Sequence, residues 1–315
     1  MEVGGDRRRT EIKWSLMHKN EITPVSVSSI EELISEVRGD YLSWETGTFP
    51  WFRGEPLGVE TPLLPKLYRP RGDGKSHNEN RLIQSFRIKA PSLGLMSTPP
   101  RANTDEWLFL AQHVGLPTRL LDWTEGLFIA LYFALLEEEP VVWMLDPIEL
   151  NRKSSNKPIS DNVFPLTWFD PEMFPARRTD AIQLALLELE NLDDSKKQET
   201  IESLKLELQS ASQPNLGNLN IRGAWETDKV GTEFPVAIHP VNIHTRISSQ
   251  KSCFTIQGKK KLGLAELVEQ RVLSKYEIKK DCVNKFRDDL RIMGITPTSV
   301  FPDLDSLAKE LASLY

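Results

Sequence analysis

The segment LFIALYFALL, residues 127–136, is apolar on every side of a helix, so the rest of the chain must be built around it. It is far shorter than the roughly 20 residues that cross a bilayer, which makes it the centre of a globular core. Directly before it stands PTRLLDWTEG, residues 117–126. Asp122 and Glu125 read as a D-x-x-E box at the mouth of a helix from Glu125 to about Glu138, with Thr124 as the other candidate cap. A helix N-terminus fixed in an interior is a ready anion site. Two readings of the polar cluster stand side by side. In one, Asp122 is buried, caps the helix and pairs with Arg119 or Arg53 as a structural knot. In the other, the helix N-terminus and the arginines bind a phosphate-bearing ligand.

The remaining pattern predicts an α+β fold, a mixed sheet with surrounding helices, because strands and helices follow one another without a regular βαβ alternation. Residues 1–27 are polar and read as an arm, and residues 28–315 as one domain. In SSIEELISEVRGDYL, Ser29 and Glu32 form a capping box for a helix. TFPWFRGEP predicts a short strand delivering Arg53 to a turn, and ENRLIQSFRIKA and TDEWLFLAQHVG predict helices. PVVWMLDP, FPVAIHP and CFTIQG read as strands. Residues 151 to about 230 read as a helical insertion, with two amphipathic helices across 176–211 whose charged faces are either solvated or a surface that docks a partner protein or covers a site. Near the C-terminus, LAELVEQRVLS reads as a helix, YEIKK as a strand, and VNKFRDDLRIMG and SLAKELASLY as helices.

Charge and composition narrow the function. A net charge of −6 weighs against a constitutive binder of duplex nucleic acid, whose affinity depends on a basic surface. The run GKKK, residues 258–261, remains a local contact candidate or a solvated loop. Two cysteines, Cys253 and Cys282, are too few for a disulfide framework or a zinc knuckle, and His113 has no His or Cys at metal-ligand spacing, so no metal site is expected. The absence of an apolar stretch of spanning length and of a secretory h-region in the N-terminal residues predicts a cytoplasmic protein without a membrane partner.

WFRG (51–54), LLPKLYR (63–69), LAQHVGLPTRLLDWT (110–124), ALYFA (130–134), RISSQKSCFTIQG (246–258) and GITPTSVFPDL (294–304) together resemble the FRG domain family, named for its Phe-Arg-Gly motif, over about residues 25–310. That family is essentially bacterial and occurs in some phage-defence and toxin-like settings. A second similarity, in order and context, is to ADP-ribosyltransferases of the Arg-Ser-Glu type, which implies NAD as substrate and an ADP-ribosyltransferase-like core. The similarity implies that Arg53 neutralises the pyrophosphate, Thr124 fixes the nicotinamide ribose and Gln250 holds its 2′-hydroxyl. Gln250 stands where those enzymes carry Glu, and Glu226 and Glu233 are substitutes. Arg119 is a second candidate phosphate contact. His113, Gln112, Asp122 and Trp123 are candidate ligand contacts, through hydrogen bonds to a nucleotide, support of Asp122, or ring stacking. The alternative function is a non-catalytic module that senses a nucleotide or other phosphorylated ligand in the same pocket.

Overall fold

A computed structural model describes residues 22–44, 48–59, 62–93, 99, 104–155, 166–167, 234–239 and 249–314. Of the expected arm over residues 1–27, residues 1–21 lie outside the described residues, as do the expected helices across 176–211 and the substitutes Glu226 and Glu233; the end of the arm, Val25–Val27, is a strand of the sheet.

In chain order the strands are β1 (Val25–Val27), β2 (Trp51–Pro56), β3 (Leu120–Thr124), β4 (Pro140–Leu145), β5 (Leu166–Thr167), β6 (Val236–His239), β7 (Ser252–Ile256) and β8 (Leu273–Ile278). They form one sheet in the order β1-β8-β4-β2-β3-β7-β6-β5. The β1–β8 and β5–β6 pairs are parallel, the others antiparallel. The main helices are α1 (Ile30–Ser43), α2 (Glu79–Lys89), α3 (Thr104–His113), α4 (Leu127–Ala134), α5 (Pro147–Ser155), α6 (Leu264–Leu267), α7 (Val283–Ile292), α8 (Pro297–Val300) and α9 (Leu304–Leu314). The mixed sheet with helices around it is the expected α+β architecture.

Strand alternation sends side chains to two faces. Phe52, Val142, Met144 and Tyr276 face α1, α4 and α7, where they meet Leu33, Ala130, Leu131, Phe286 and Leu290. Farther along the same face, Leu120, Phe254 and Ile256 pack on Ile83 of α2 and on Leu108 and Phe109 of α3. The opposite face carries Trp51, Leu121, Trp123, Val141, Trp143 and Cys253, covered by Leu63, Leu264 and Val268. The all-apolar helix α4 is central as expected: it lies directly on β2 because position 54 is glycine. A Cβ there would stand 2.3 Å from the Ala130 carbonyl oxygen and 2.4 Å from the Ala134 nitrogen, closer than van der Waals contact allows. The far end of α4 is closed by Arg287, whose Nη2 donates to the Leu135 carbonyl at 2.7 Å.

Several local expectations hold in detail. Ser29 caps α1 by accepting from the Glu32 amide, while the Glu32 carboxylate reaches back to the amide and hydroxyl of Ser28 rather than of Ser29. Gly115, just beyond α3, has a φ of +85° that favours glycine. Two expectations are corrected. LAELVEQRVLS is not a continuous helix: α6 stops after Leu267, and β8 begins at Leu273, well before YEIKK, because Leu273 pairs with Leu145 in the sheet. The second correction concerns Asp122. LLDWT is a strand, and α4 starts only at Leu127, with Gly126 as its N-cap. Asp122 therefore sits in mid-strand, caps nothing in α4, and its side chain is 55% exposed.

Candidate functional site

β2 and β3 share a single register pair, Phe52 with Thr124, and then part. β2 continues along β4 through Pro56, and β3 continues along β7 through Leu120. The result is a fork in the sheet. Arg53, the next residue on β2, bridges it: its Nη1 donates to the Asp122 carbonyl at 2.8 Å, taking the place of a ladder hydrogen bond. Phe, Arg and Gly of the motif thus divide the work, Phe52 entering the core, Arg53 spanning the fork and Gly54 admitting α4.

Behind the fork lies Glu55, which is buried. Its Oε1 accepts from Arg69 at 2.8 Å and lies 3.4 Å from both Nε and Nη2 of Arg53, and its Oε2 accepts from the Leu63 amide at 3.0 Å. One carboxylate is therefore shared by two arginines. Arg69 is further fixed by donating from Nε to the Leu64 carbonyl. In front of the fork opens a cavity of about 670 Å³ whose lining includes Arg53, Lys66, Arg69, Arg71, His77, Gln112 and Asp122. Arg71 pairs with Asp73 at 2.9 Å. Lys66 meets no carboxylate among the described residues.

The opposite wall is a directed hydrogen-bond chain. The Leu120 amide donates to the Thr118 hydroxyl, which therefore donates onward to Gln112 Oε1. That fixes the carboxamide so that Gln112 Nε2 donates to Asp122 Oδ2 at 2.7 Å. Asp122 Oδ2 is also 4.0 Å from Arg53 Nη1. The cavity thus combines four cations with one oriented carboxylate, a polarity suited to a ligand that carries an anionic group and hydrogen-bond donors.

The sequence-predicted residues divide between this cavity and other work. Arg53, Gln112 and Asp122 line it. Arg119 does not serve it: the guanidinium is buried and pairs with Glu79, which accepts from Arg119 Nε at 2.7 Å, from Nη2, and from the Arg119 amide at 3.1 Å. The Arg119–Asp122 knot is corrected accordingly, Glu79 being the partner. Trp123 is buried, with its indole N–H donating to the Thr255 hydroxyl, so its ring is core and not a stacking platform. His113 ends α3, half-buried. Thr124 is buried; its hydroxyl accepts from the Gly126 amide and donates its proton to the Gln250 carbonyl at 2.7 Å. Gln250 in turn donates from Nε2 to the Val300 carbonyl at the end of α8, beside Phe301, which packs on Tyr132 and Phe133 of α4.

Thr124 and Gln250 therefore meet each other, on the α4 side of the sheet. By register Arg53 belongs with Trp51, Trp123 and Trp143 on the other side. Arg53, Thr124 and Gln250 come from three neighbouring strands or their ends, yet their side chains do not share the cavity. Sequence reasoning missed Lys66, Arg69, Arg71 and His77. The signal available was a run of cations in KLYRPRGDGKSH, residues 66–77, broken by Pro and Gly into a loop.

Outside the cavity, His239 stands 3.7 Å from Glu125 and edge-on to Trp51. Burial holds its imidazole below the ordinary histidine range, against the pull of Glu125. Cys253 is wholly buried, which pushes its thiol well above the usual range, so it is a core residue and not a nucleophile. Among the described residues no cluster of His, Cys, Asp or Glu is placed to hold a metal ion, and no helix is long and apolar enough to cross a membrane.

Neither a curated protein sequence nor a solved structure matches the chain. One family does, over residues 49–141 and under the description FRG domain. The match is shorter than the resemblance read from the motifs, leaving β7, β8 and α6 to α9 outside it. It does contain β2, β3, α4 and the whole cavity lining, so the fork and its basic cavity lie within the residues that match the FRG domain, 49–141.

Proposed function

We propose that the chain is a binding module for a phosphate-bearing ligand of nucleotide class, held in the fork between β2 and β3. The observation that carries this reading is the convergence of Arg53, Lys66, Arg69 and Arg71 on one concave cavity in a chain whose net charge is −6. Burial of Glu55 against Arg53 and Arg69 fixes two guanidinium groups without using up their combined charge. Preorganised arginines bind phosphate more strongly than mobile ones because less side-chain freedom is lost on binding. Asp122, aligned by Gln112, then supplies an acceptor for hydroxyl or amino groups of the same ligand.

NAD-dependent ADP-ribosyl transfer is the second reading, favoured by the adjacency of β2, β3 and β7, which carry or border Arg53, Thr124 and Gln250. It is the weaker one, because the Thr124 hydroxyl proton is given to the Gln250 carbonyl and the Gln250 amide to Val300. Calorimetric titration with pyrophosphate, ADP and NAD, alongside an assay for nicotinamide release, separates the two. Binding of all three without nicotinamide release is the expected result. Steady release of nicotinamide, with the labelled ADP-ribosyl group of NAD appearing on an acceptor and both signals lost in Gln250→Ala, would establish transfer instead.

Lys66 and Arg71 are exposed or paired only at the surface, so the double substitution Lys66→Ala/Arg71→Ala is expected to leave the melting temperature within about 2 °C, as surface changes do. It should weaken pyrophosphate and ADP at least roughly tenfold, through loss of charge-assisted hydrogen bonds. Unchanged affinity in this variant would place the phosphate elsewhere.

A further inference from the structure

A second cavity, of about 550 Å³, adjoins the first and shares Arg69, Pro70 and His77 with it. Its walls bring Lys75, Lys261 and Tyr68 together from two distant parts of the chain, with Asn78 and Asn80 at the start of α2. Lys261 lies with its ammonium 5.3 Å from the centre of the Tyr68 ring, a contact between cation and aromatic face that holds the lysine at the rim. The Lys75 amide donates to Asp73 Oδ1 at 3.1 Å, but neither the Lys75 nor the Lys261 ammonium forms a salt bridge among the described residues. Of the acids nearby, Glu79 is committed to Arg119, Asp73 to Arg71, and Glu55 to Arg53 and Arg69, while Asp122 lines only the first cavity and is held by Gln112.

From these observations we infer that the two cavities form one track for a short single-stranded nucleic-acid segment, whose phosphates pass from Lys66 and Arg71 across Arg69 to Lys75 and Lys261. The inference rests on the phosphate-binding reading of the first cavity and extends it from one nucleotide to a chain of them. A single strand is favoured by the size of the two cavities, about 670 and 550 Å³, which admit individual nucleotides and not the body of a duplex. The second cavity also offers Tyr68 and the Asn80 carboxamide, groups that contact bases and have no use for a condensed polyphosphate, while the Asn78 oxygen caps α2 by accepting from the Arg81 amide.

Fluorescence anisotropy with labelled oligo(dT) and oligo(U) of eight nucleotides tests the inference, with inorganic polyphosphate as competitor and ADP titrated in parallel by calorimetry. The key variant is Lys75→Ala/Lys261→Ala, both exposed and outside the first cavity. The oligonucleotide should bind the unmodified chain more tightly than ADP does. The double variant should lose roughly tenfold at low salt, with the slope of log affinity against log salt flattened by about 1.4, the contribution of two single-strand phosphate contacts. ADP affinity should stay within about twofold. Oligonucleotide binding that ignores the double substitution, or polyphosphate displacing it with far higher affinity, would overturn the track while ADP binding kept the first cavity as a phosphate site. Failure of ADP and oligonucleotide alike would remove both.

Discussion

Replacing Glu79 with alanine is expected to destabilise the protein by about 3–5 kcal/mol, the range for leaving one member of a buried ion pair uncompensated. Glu79 opens α2 and holds the buried guanidinium of Arg119 by two bonds and the Arg119 amide by a third. With it gone, Arg119 keeps its charge, since a guanidinium does not deprotonate in a protein, and the amide that enters β3 loses its acceptor. Urea denaturation gives the magnitude directly. Glu79→Gln, which keeps acceptor and shape but not charge, should lose less than Glu79→Ala. A loss under about 1 kcal/mol in the alanine variant would mean that water reaches Arg119 and that the pair is peripheral to the fold. The consequence for the site is indirect: Arg119 immediately precedes the strand that carries Asp122, so a shift there moves one wall of the fork.

The second large effect is expected at Gly54. Gly54→Ala adds a methyl group against the backbone of α4 at Ala130 and Ala134, and backbone cannot swing aside as a side chain can. The substitution should cost about 3 kcal/mol, the upper part of the usual range for overpacking. Gly39, inside α1, has nothing within 4 Å of its would-be Cβ, so Gly39→Ala is the control and should raise stability by up to about 1 kcal/mol through helix propensity. Equal effects at the two positions would show that α4 does not rest on β2 as described. Because α4 also packs behind Phe52, its displacement should loosen the fork and reduce ligand affinity along with stability.

Much of this arrangement was legible from residue order, and the parts that were not share a physical reason. The centrality of α4 follows from its lack of any polar stripe, and the strand around Trp51–Pro56 from its aromatic residues and Pro-Gly punctuation. The capping of α1 by Ser29 is purely local. The misreading of Asp122 arose because D-x-x-E before an apolar run is also a local signal for a helix start. Only the pairing of β3 with β7, residue for residue from Leu120–Ile256 to Thr124–Ser252, holds those residues extended, and that pairing joins segments far apart in sequence. Arg119 was credited with phosphate binding for the same reason, since nothing near it in sequence announces Glu79 as its partner. The cavity itself depends on where β2 and β3 part company, so Arg53 was recognisable from its motif while Lys66, Arg69 and Arg71 gained meaning only once the loop carrying them folded over the fork.

Hydrogen–deuterium exchange of the intact chain, with and without saturating ADP, tests the central claim most directly, because it maps the ligand without altering any residue. Slower exchange in peptides covering residues 53–56, 66–77 and 112–122, with residues 127–134 and 249–256 unchanged, is the result that a ligand in the fork predicts. Protection confined to residues 249–256 and the start of α4, with 66–77 exchanging as before, would contradict it and move the site to the other face of the sheet, around Thr124 and Gln250.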